Sequence, residues 1–351
     1  MNRYVGIDRT ELRNLIVYQV DLQKLQNTDS KIRLTESQLG YMTRDIEGNI
    51  IRVENIVISD GFMFNSFRLD YKKEKGNRTY YTILDVTIAT KEGESDNLRP
   101  LNISEYRNKI NNIKHYIQEI YGIYLDVSEA RFNTIELNIT NEMMHTFHDY
   151  RVIFEAVRQK RNHKKYPVFG LKEKKLQYET YIFSNKGLTN QLKLYNKTEQ
   201  LSYCFRIYRK EQFMRFEYRL HSYDLIQNRL GTSRVSELTD QNIRDFLSES
   251  IQEDIFKPVE AYINDSNKEL DKMYKNIKKK YKRGHTRLFA NYCNGKEVAI
   301  LDAEQIYNIV KKNTTKTNHL AENKRLIYSV VSPCLVGNLE KLSELKDKFL
   351  I

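Results

Sequence analysis

The sequence predicts an α+β protein, an antiparallel sheet with packed helices followed by a mainly helical C-terminal domain, and three observations predict it. The segments FNTIELNIT (132–140), QLKLYNKT (191–198) and QFMRFEYRL (212–220) alternate apolar and polar residues with a period of two, the pattern of strands that bury one face. NISEYRNKINNIKHYIQEIYGI (102–123) instead spaces Tyr106, Ile110, Ile113, Ile117 and Ile120 at helical intervals. After His221 nearly everything to Ile351 has helical periodicity with Asp, Glu and Lys on the outer faces.

Taken in chain order, Leu15–Val20, Ile50–Ile58 and the β-branched run 80–90 read as strands. Asn102 or Ser104 caps the first helix. Strand 132–140 leads into a helix from Glu142 to about Lys160, which offers Met143, Phe147, Tyr150, Val152 and Phe154 to a core. A basic loop at 158–175, with eight Lys/Arg against one Glu, precedes a strand-rich block at 176–220, where NKGLTN (185–190) suits a hairpin turn. GTSRVSELTD supplies a boundary near 230–238, so the expected domains are 1–235 and 236–351.

With 351 residues the chain builds a sizeable core without disulfides. Cys204, Cys293 and Cys334 are too few and too scattered for a disulfide framework or a metal knuckle. A charge of +12 favours a polyanionic partner. No stretch approaches 18 uninterrupted apolar residues and the start carries no signal-like apolar core, so a cytoplasmic protein with no membrane partner is expected. The 25 tyrosines match the codon usage of AT-rich DNA, so only individual tyrosines in context carry weight. No P-loop, GxSxG or HExxH motif occurs, which excludes the corresponding ATPase, hydrolase and metalloprotease chemistries.

Alternation assigns faces. Lys193, Tyr195 and Lys197 fall opposite Leu192 and Leu194; Arg215, Glu217 and Arg219 fall opposite Met214, Phe216, Tyr218 and Leu220; Thr134, Glu136 and Asn138 fall opposite Ile135, Leu137 and Ile139. If the three strands are neighbours, Glu136, Asn138 and Glu217 form an oxygen-ligand set suited to Mg²⁺ or Mn²⁺, among lysines and arginines that hold phosphates. Routine cross-strand ion pairing on a wet sheet face is the plainer explanation of the same pattern.

Lys193-Leu194-Tyr195-Asn196-Lys197-Thr198-Glu199 followed by Arg215-Phe216-Glu217, after the IELNIT strand and TYIFSNKG, resembles the replication initiators of rolling-circle plasmids and filamentous phages, and the related relaxases of Gram-positive mobile elements. The resemblance covers about residues 80–230. It implies an HUH-like fold over 1–235, nicking of one DNA strand through a tyrosine with a divalent metal (Mg or Mn), and double- and single-stranded origin DNA as partner. A host polymerase or helicase and a second copy of the chain, as a homodimer, are further implied partners. Carried over by position, Glu136, Asn138 and Glu217 are the metal or base residues, and Lys193, Lys197, Arg215 and Arg219 grip DNA. Tyr181 fits the family's order best as nucleophile, Tyr195 lies inside the motif, and Tyr178 and Tyr223 are alternatives. The His-hydrophobe-His signature is absent, and His145-Thr-Phe-His148 has an extra residue. A non-catalytic initiator of theta replication, a mobilisation relaxase and an RNA-binding protein stay open beside the rolling-circle reading.

Two further basic clusters suit phosphate contact: Lys164 and Lys165 in the loop, and Lys278, Lys279, Lys280, Lys282 and Arg283 within 271–287, where Tyr274, Ile277 and Tyr281 form an apolar stripe. Residues 300–327 read as helix, polar turn, helix with Asp302 as cap.

Overall fold

In the computed structural model, residues 3–21, 23–24, 41–44, 46, 50–60, 63–72, 80–87, 98–160, 180–184, 190–294, 302–315, 319–331 and 333–350 are described. Among them ten strands form one antiparallel sheet: β1 (Arg3–Val20), β2 (Tyr41–Arg44), β3 (Ile50–Ile58), β4 (Ser66–Lys72), β5 (Tyr80–Thr87), β6 (Ile123–Asp126), β7 (Arg131–Met143), β8 (Thr180–Ser184), β9 (Asn190–Asn196) and β10 (Gln212–His221). The order is β2-β3-β4-β5-β1-β7-β10-β9-β8, with β6 paired to the far end of β1. The helices are α1 (Ile103–Tyr121), α2 (Arg151–Lys160), α3 (Lys197–Phe205), α4 (Tyr223–Leu230), α5 (Asp240–Ile251), α6 (Lys257–Lys280), α7 (His285–Asn294), α8 (Ala303–Lys312), α9 (Leu320–Val330) and α10 (Pro333–Phe349).

Asn102 caps α1 in a reciprocal box with Glu105, and Gly122 ends it in a left-handed conformation that L side chains rarely adopt. Ile103, Tyr106, Ile110, Ile113, Ile117 and Tyr121 are buried on one stripe of α1. Each such side chain contributes roughly 1.5–3 kcal/mol of burial, so this face and not helix propensity holds α1 in place. The stripe joins Ile135, Leu137, Ile139, Phe216, Tyr218 and Leu220 from the sheet in one core.

The predicted helix at 142–160 is corrected. β7 continues through Met143, because Glu142 and Met143 extend the ladder to Phe213 and Gln212 of β10. Helical geometry starts only with the Thr146–Asp149 box, as a short 3₁₀ turn over Phe147–Tyr150, and passes into α2. The end of QLKLYNKT is corrected too: Asn196 closes β9, accepts a hydrogen bond from Glu199 N at 3.0 Å and caps α3.

Among the described residues the buried hydrophobic side chains form two large clusters, and the first extends past residue 236. The sheet core takes in Ile243, Phe246 and Leu247 of α5, Val259 at the start of α6, and Leu342, Leu345 and Phe349 of α10. Phe349 stacks on Phe216 with ring centroids 4.0 Å apart. The second core, with Leu270, Tyr274, Phe289, Ile306, Val310 and Ile327, is built by the end of α6 with α7, α8 and α9. Asp302 caps α8 as expected. Tyr281 departs from the expected stripe, because α6 stops at Lys280 and leaves that ring exposed. No helix among the described residues is long and apolar enough to cross a membrane.

Candidate functional site

The site is the face of β1, β7, β10 and β9 that points away from the main core. Register sets three cross-strand rows there. Thr140, Arg215 and Tyr195 are opposite one another, then Asn138, Glu217 and Lys193, then Arg9, Glu136, Arg219 and Gln191. The expected face assignment therefore holds for Glu136, Asn138, Lys193, Tyr195, Arg215, Glu217 and Arg219.

Glu217 is the hub. Its Oε1 accepts from Lys193 Nζ at 2.5 Å and its Oε2 from the Tyr195 hydroxyl at 3.0 Å. Burial pushes its pKa up, but Lys193, Arg215 and the Tyr195 hydrogen bond outweigh that, and the carboxyl sits below the usual range. Glu136 goes the other way. Burial first, and then the charge of Glu217, raise its pKa above the usual range despite Lys193 and Arg219, with Arg219 Nε 3.5 Å away.

Arg215 is fully buried, and its guanidinium is spent on protein groups. Nε donates to Thr140 Oγ1 at 2.7 Å, Nη2 to Leu98 O at 2.9 Å and Nη1 to Asp8 Oδ2 at 3.3 Å. Burial pulls its pKa down, but Tyr195, Asp8 and Glu217 more than compensate, so the guanidinium is held as a cation. Asp8 was invisible to alternation: a bulge between Ile7 and Arg9 turns it toward Arg215. Segment 98–101 passes close to β1 at Gly6, where an added Cβ would stand 2.2 Å from Leu101 O. Beyond Arg215 this end of the face is roofed by Leu98, Leu201 and Phe213.

Four expected roles are corrected. Tyr181 pairs with Leu194, so it points into the main core, where it packs on Phe147 and Phe154 with 2% exposure, away from Glu217. Tyr195 is the tyrosine beside the carboxylates. Lys197 leaves the strand face because Asn196 starts a helix there; it is buried, its Nζ 2.8 Å from Gln200 Oε1 and 5.6 Å from the centre of the Phe205 ring. Arg215 is buried too completely to grip a phosphate. The metal set of Glu136, Asn138 and Glu217 does not fit a cation as arranged: Lys193 and Tyr195 take both oxygens of Glu217, and among the described residues no three His, Cys, Asp or Glu side chains converge on a metal position. The buried amide of Asn138 lies opposite Glu217 and two residues along β7 from Glu136, and its Nδ2 has no hydrogen-bond partner among the described residues.

Elsewhere, Tyr223 is exposed at the start of α4, with Arg131 donating to its hydroxyl. His145 contacts Glu344 at 4.0 Å, away from the ionic rows. Lys278, Lys279, Lys280, Lys282 and Arg283 are exposed around the end of α6. Tyr178, Lys164 and Lys165 lie outside the described residues.

Fold and site together define an α+β protein with a tyrosine–glutamate–lysine cluster on the polar face of an antiparallel sheet. The chain matches no family model and no curated protein. Among solved structures it is similar to a rolling circle replication initiator protein from Geobacillus stearothermophilus, at 8% identity and a TM-score of 0.33, over 72% of this chain and 85% of that one.

Proposed function

We propose that the protein is a DNA replication initiator that cuts one strand of its origin through Tyr195. The observation that carries this reading is the Tyr195 hydroxyl donating to Glu217 Oε2 at 3.0 Å, with Lys193 and Arg219 on the same face. A carboxylate within hydrogen-bond reach of a phenol is placed as a general base, and its lowered pKa keeps it ionised at neutral pH. In the reaction the Tyr195 oxygen attacks phosphorus as its proton passes to Glu217. The bond from phosphorus to the 3′ oxygen breaks, leaving a 5′-phosphotyrosine and a 3′-OH protonated from solvent. Lys193 and Arg219 offset the charge that builds on the phosphate. Magnesium or manganese, which the resemblance implies, would polarise that phosphate, but the donors as placed do not form its site and no step depends on it.

The division of labour follows the two cores. The sheet unit presents the tyrosine, and the helical module built on the second core contacts origin duplex through Lys278–Arg283. One observation favours a second reading, an initiator that binds without cutting: Tyr195 is 3% exposed and both Glu217 oxygens are satisfied. A mobilisation relaxase would share the cutting chemistry and differ in the DNA it serves. The test is a nicking assay with Mg²⁺ or Mn²⁺ on supercoiled DNA carrying the sequence that flanks the gene. A covalent protein–DNA adduct that Tyr195→Phe abolishes and Tyr181→Phe retains supports cutting; tight duplex binding with no adduct favours the second reading.

A further inference from the structure

The polar face continues past Tyr195 and Glu217. Along β10 it runs from Arg215 through Glu217 and Arg219 to His221, about 20 Å at the usual rise per residue. Exposure rises on the way: Arg215 is 0% exposed, Arg219 is half open, and His221 faces solvent. Thr134 Oγ1 meets His221 Nδ1 at 2.7 Å and Glu11 Oε2 at 3.2 Å, which fixes the imidazole ring. A second bulge in the β1–β7 pair brings Arg13 opposite Arg131 at the far end of the same face.

There the guanidinium of Arg131 lies 4.9 Å from the centre of the Tyr223 ring. Tyr223 is 38% exposed, an aromatic surface left open at the end of a face on which cations alternate with carboxylates. The backbone holds it there: Ser222 sits at φ 119°, a strained conformation for a residue with a side chain, while its N–H donates to Asn133 O at 3.0 Å and its Oγ accepts from Leu225 N. Strain of this kind persists only where the surroundings enforce it. Arg131 Nε is buried without a hydrogen-bond partner among the described residues, and the guanidinium is held at the ring by its position over it and by the hydrogen bond that Nη1 donates to the Tyr223 hydroxyl.

We infer that Tyr223, backed by Arg131, is a base-stacking platform for single-stranded DNA, and that the strand runs over the open end of the face, past Arg219 and His221, to this pair. The inference rests on the polar face being the DNA path of the proposed function. An exposed ring with a flanking cation takes the face of any base and the phosphate beside it, which gives grip without sequence readout. It also assigns Tyr223 a role other than nucleophile, since its hydroxyl is engaged by Arg131 at the opposite end of the face from Glu217.

The test measures binding of the full chain to a fluorescent 15-nucleotide oligo(dT), and to the same strand carrying abasic sites, by anisotropy. Tyr223→Ala is expected to weaken oligo(dT) binding about tenfold and Tyr223→Phe to stay within about twofold of wild type, while the abasic strand erases the difference. Arg131→Ala gives an independent loss, and circular-dichroism melts confirm that each variant is folded. Oligo(dT) binding unchanged in Tyr223→Ala overturns the inference, as does a larger Tyr223 dependence on an oligo(rU) strand, which would make RNA the ligand. The two readings fail separately: a Tyr223-dependent grip on oligo(dT) with no covalent adduct sinks the cutting reaction alone, and an adduct with no Tyr223 dependence sinks the platform alone.

Discussion

The Tyr195 hydroxyl donates to Glu217 Oε2 at 3.0 Å while Lys193 holds the other oxygen of the same carboxylate at 2.5 Å. Phenol, carboxylate and ammonium are thus joined across two adjacent rows of the sheet face. Tyr195→Phe removes the nucleophile and leaves one Glu217 oxygen with fewer partners in a buried site, a cost of about 1–3 kcal/mol. The expected outcome is loss of any covalent DNA adduct with duplex affinity retained. Tyr181→Phe keeps the adduct, and Tyr181→Ala lowers stability by about 3–5 kcal/mol because its ring packs against Phe147 and Phe154 in the core.

The two glutamates predict opposite pH dependences. Glu217 has a folded pKa below its ordinary value near 4.5, so its stabilising contribution is present above that value and is lost as pH falls through the folded pKa. Glu136 has a folded pKa above 4.5, so its contribution is present below that value and is lost as pH rises through the folded pKa. Glu217→Gln should therefore lower the melting temperature at pH 7.5, with the deficit shrinking on acidification. Glu136→Gln should raise it at pH 7.5, with the gain vanishing below about pH 4.5. Thermal melts of both variants from pH 4 to 8 check the crossing.

Much of this face was legible because β7 and β10 pair in plain register, with alternation on each strand stating the side of every residue. Motif order points to Tyr181, but within its own strand it shares a face with Phe183 and so with the core. Lys197 carried a readable warning: Asn196 and Glu199 have the spacing of a helix cap, and the alternation of the preceding residues masked it. Asp8 had no such signal, since a bulge in a long strand leaves no period to detect. Nor did the docking of α10, whose contacts join residues more than a hundred positions apart, as Phe349 and Phe216 do.

Arg215 sits at the buried end of the ionic rows, with Asp8, Thr140 and the Leu98 carbonyl as its partners. Arg215→Met keeps the apolar volume but strands Asp8 without its cation, and removal of one member of a buried pair costs about 3–5 kcal/mol. Urea unfolding should show a loss of that size. Adding Asp8→Asn should recover part of it, because the double variant no longer buries an uncompensated charge. Equal stability of the single variant and wild type would mean the network is not formed in solution.

The C-terminal helix completes the sheet core. Besides the Phe349–Phe216 stack, Asn141 Nδ2 and the Arg3 guanidinium both donate to Lys348 O, and Lys348 Nζ returns a hydrogen bond to Glu142 O at 2.6 Å. Phe349→Ala is expected to cost about 3–5 kcal/mol from the cavity and the lost ring contact. The same substitution should leave the second core untouched, so limited proteolysis of the variant should open the sheet unit while the α7–α9 module stays protected.

The exposed basic end of α6 predicts a salt signature and no stability effect. Lys279, Lys280, Lys282 and Arg283 are exposed and make no ion pair with a described carboxylate, so their neutralisation removes little that the fold uses. Each phosphate contact they make with duplex DNA releases counterions, giving a slope of roughly −0.9 in log K against log salt per contact. Replacing all four with glutamine should flatten that slope by about 3–4 units and weaken duplex binding at low salt, with the melting temperature unchanged. An unchanged slope would remove this module from the duplex interface and leave the polar face of the sheet as the DNA contact.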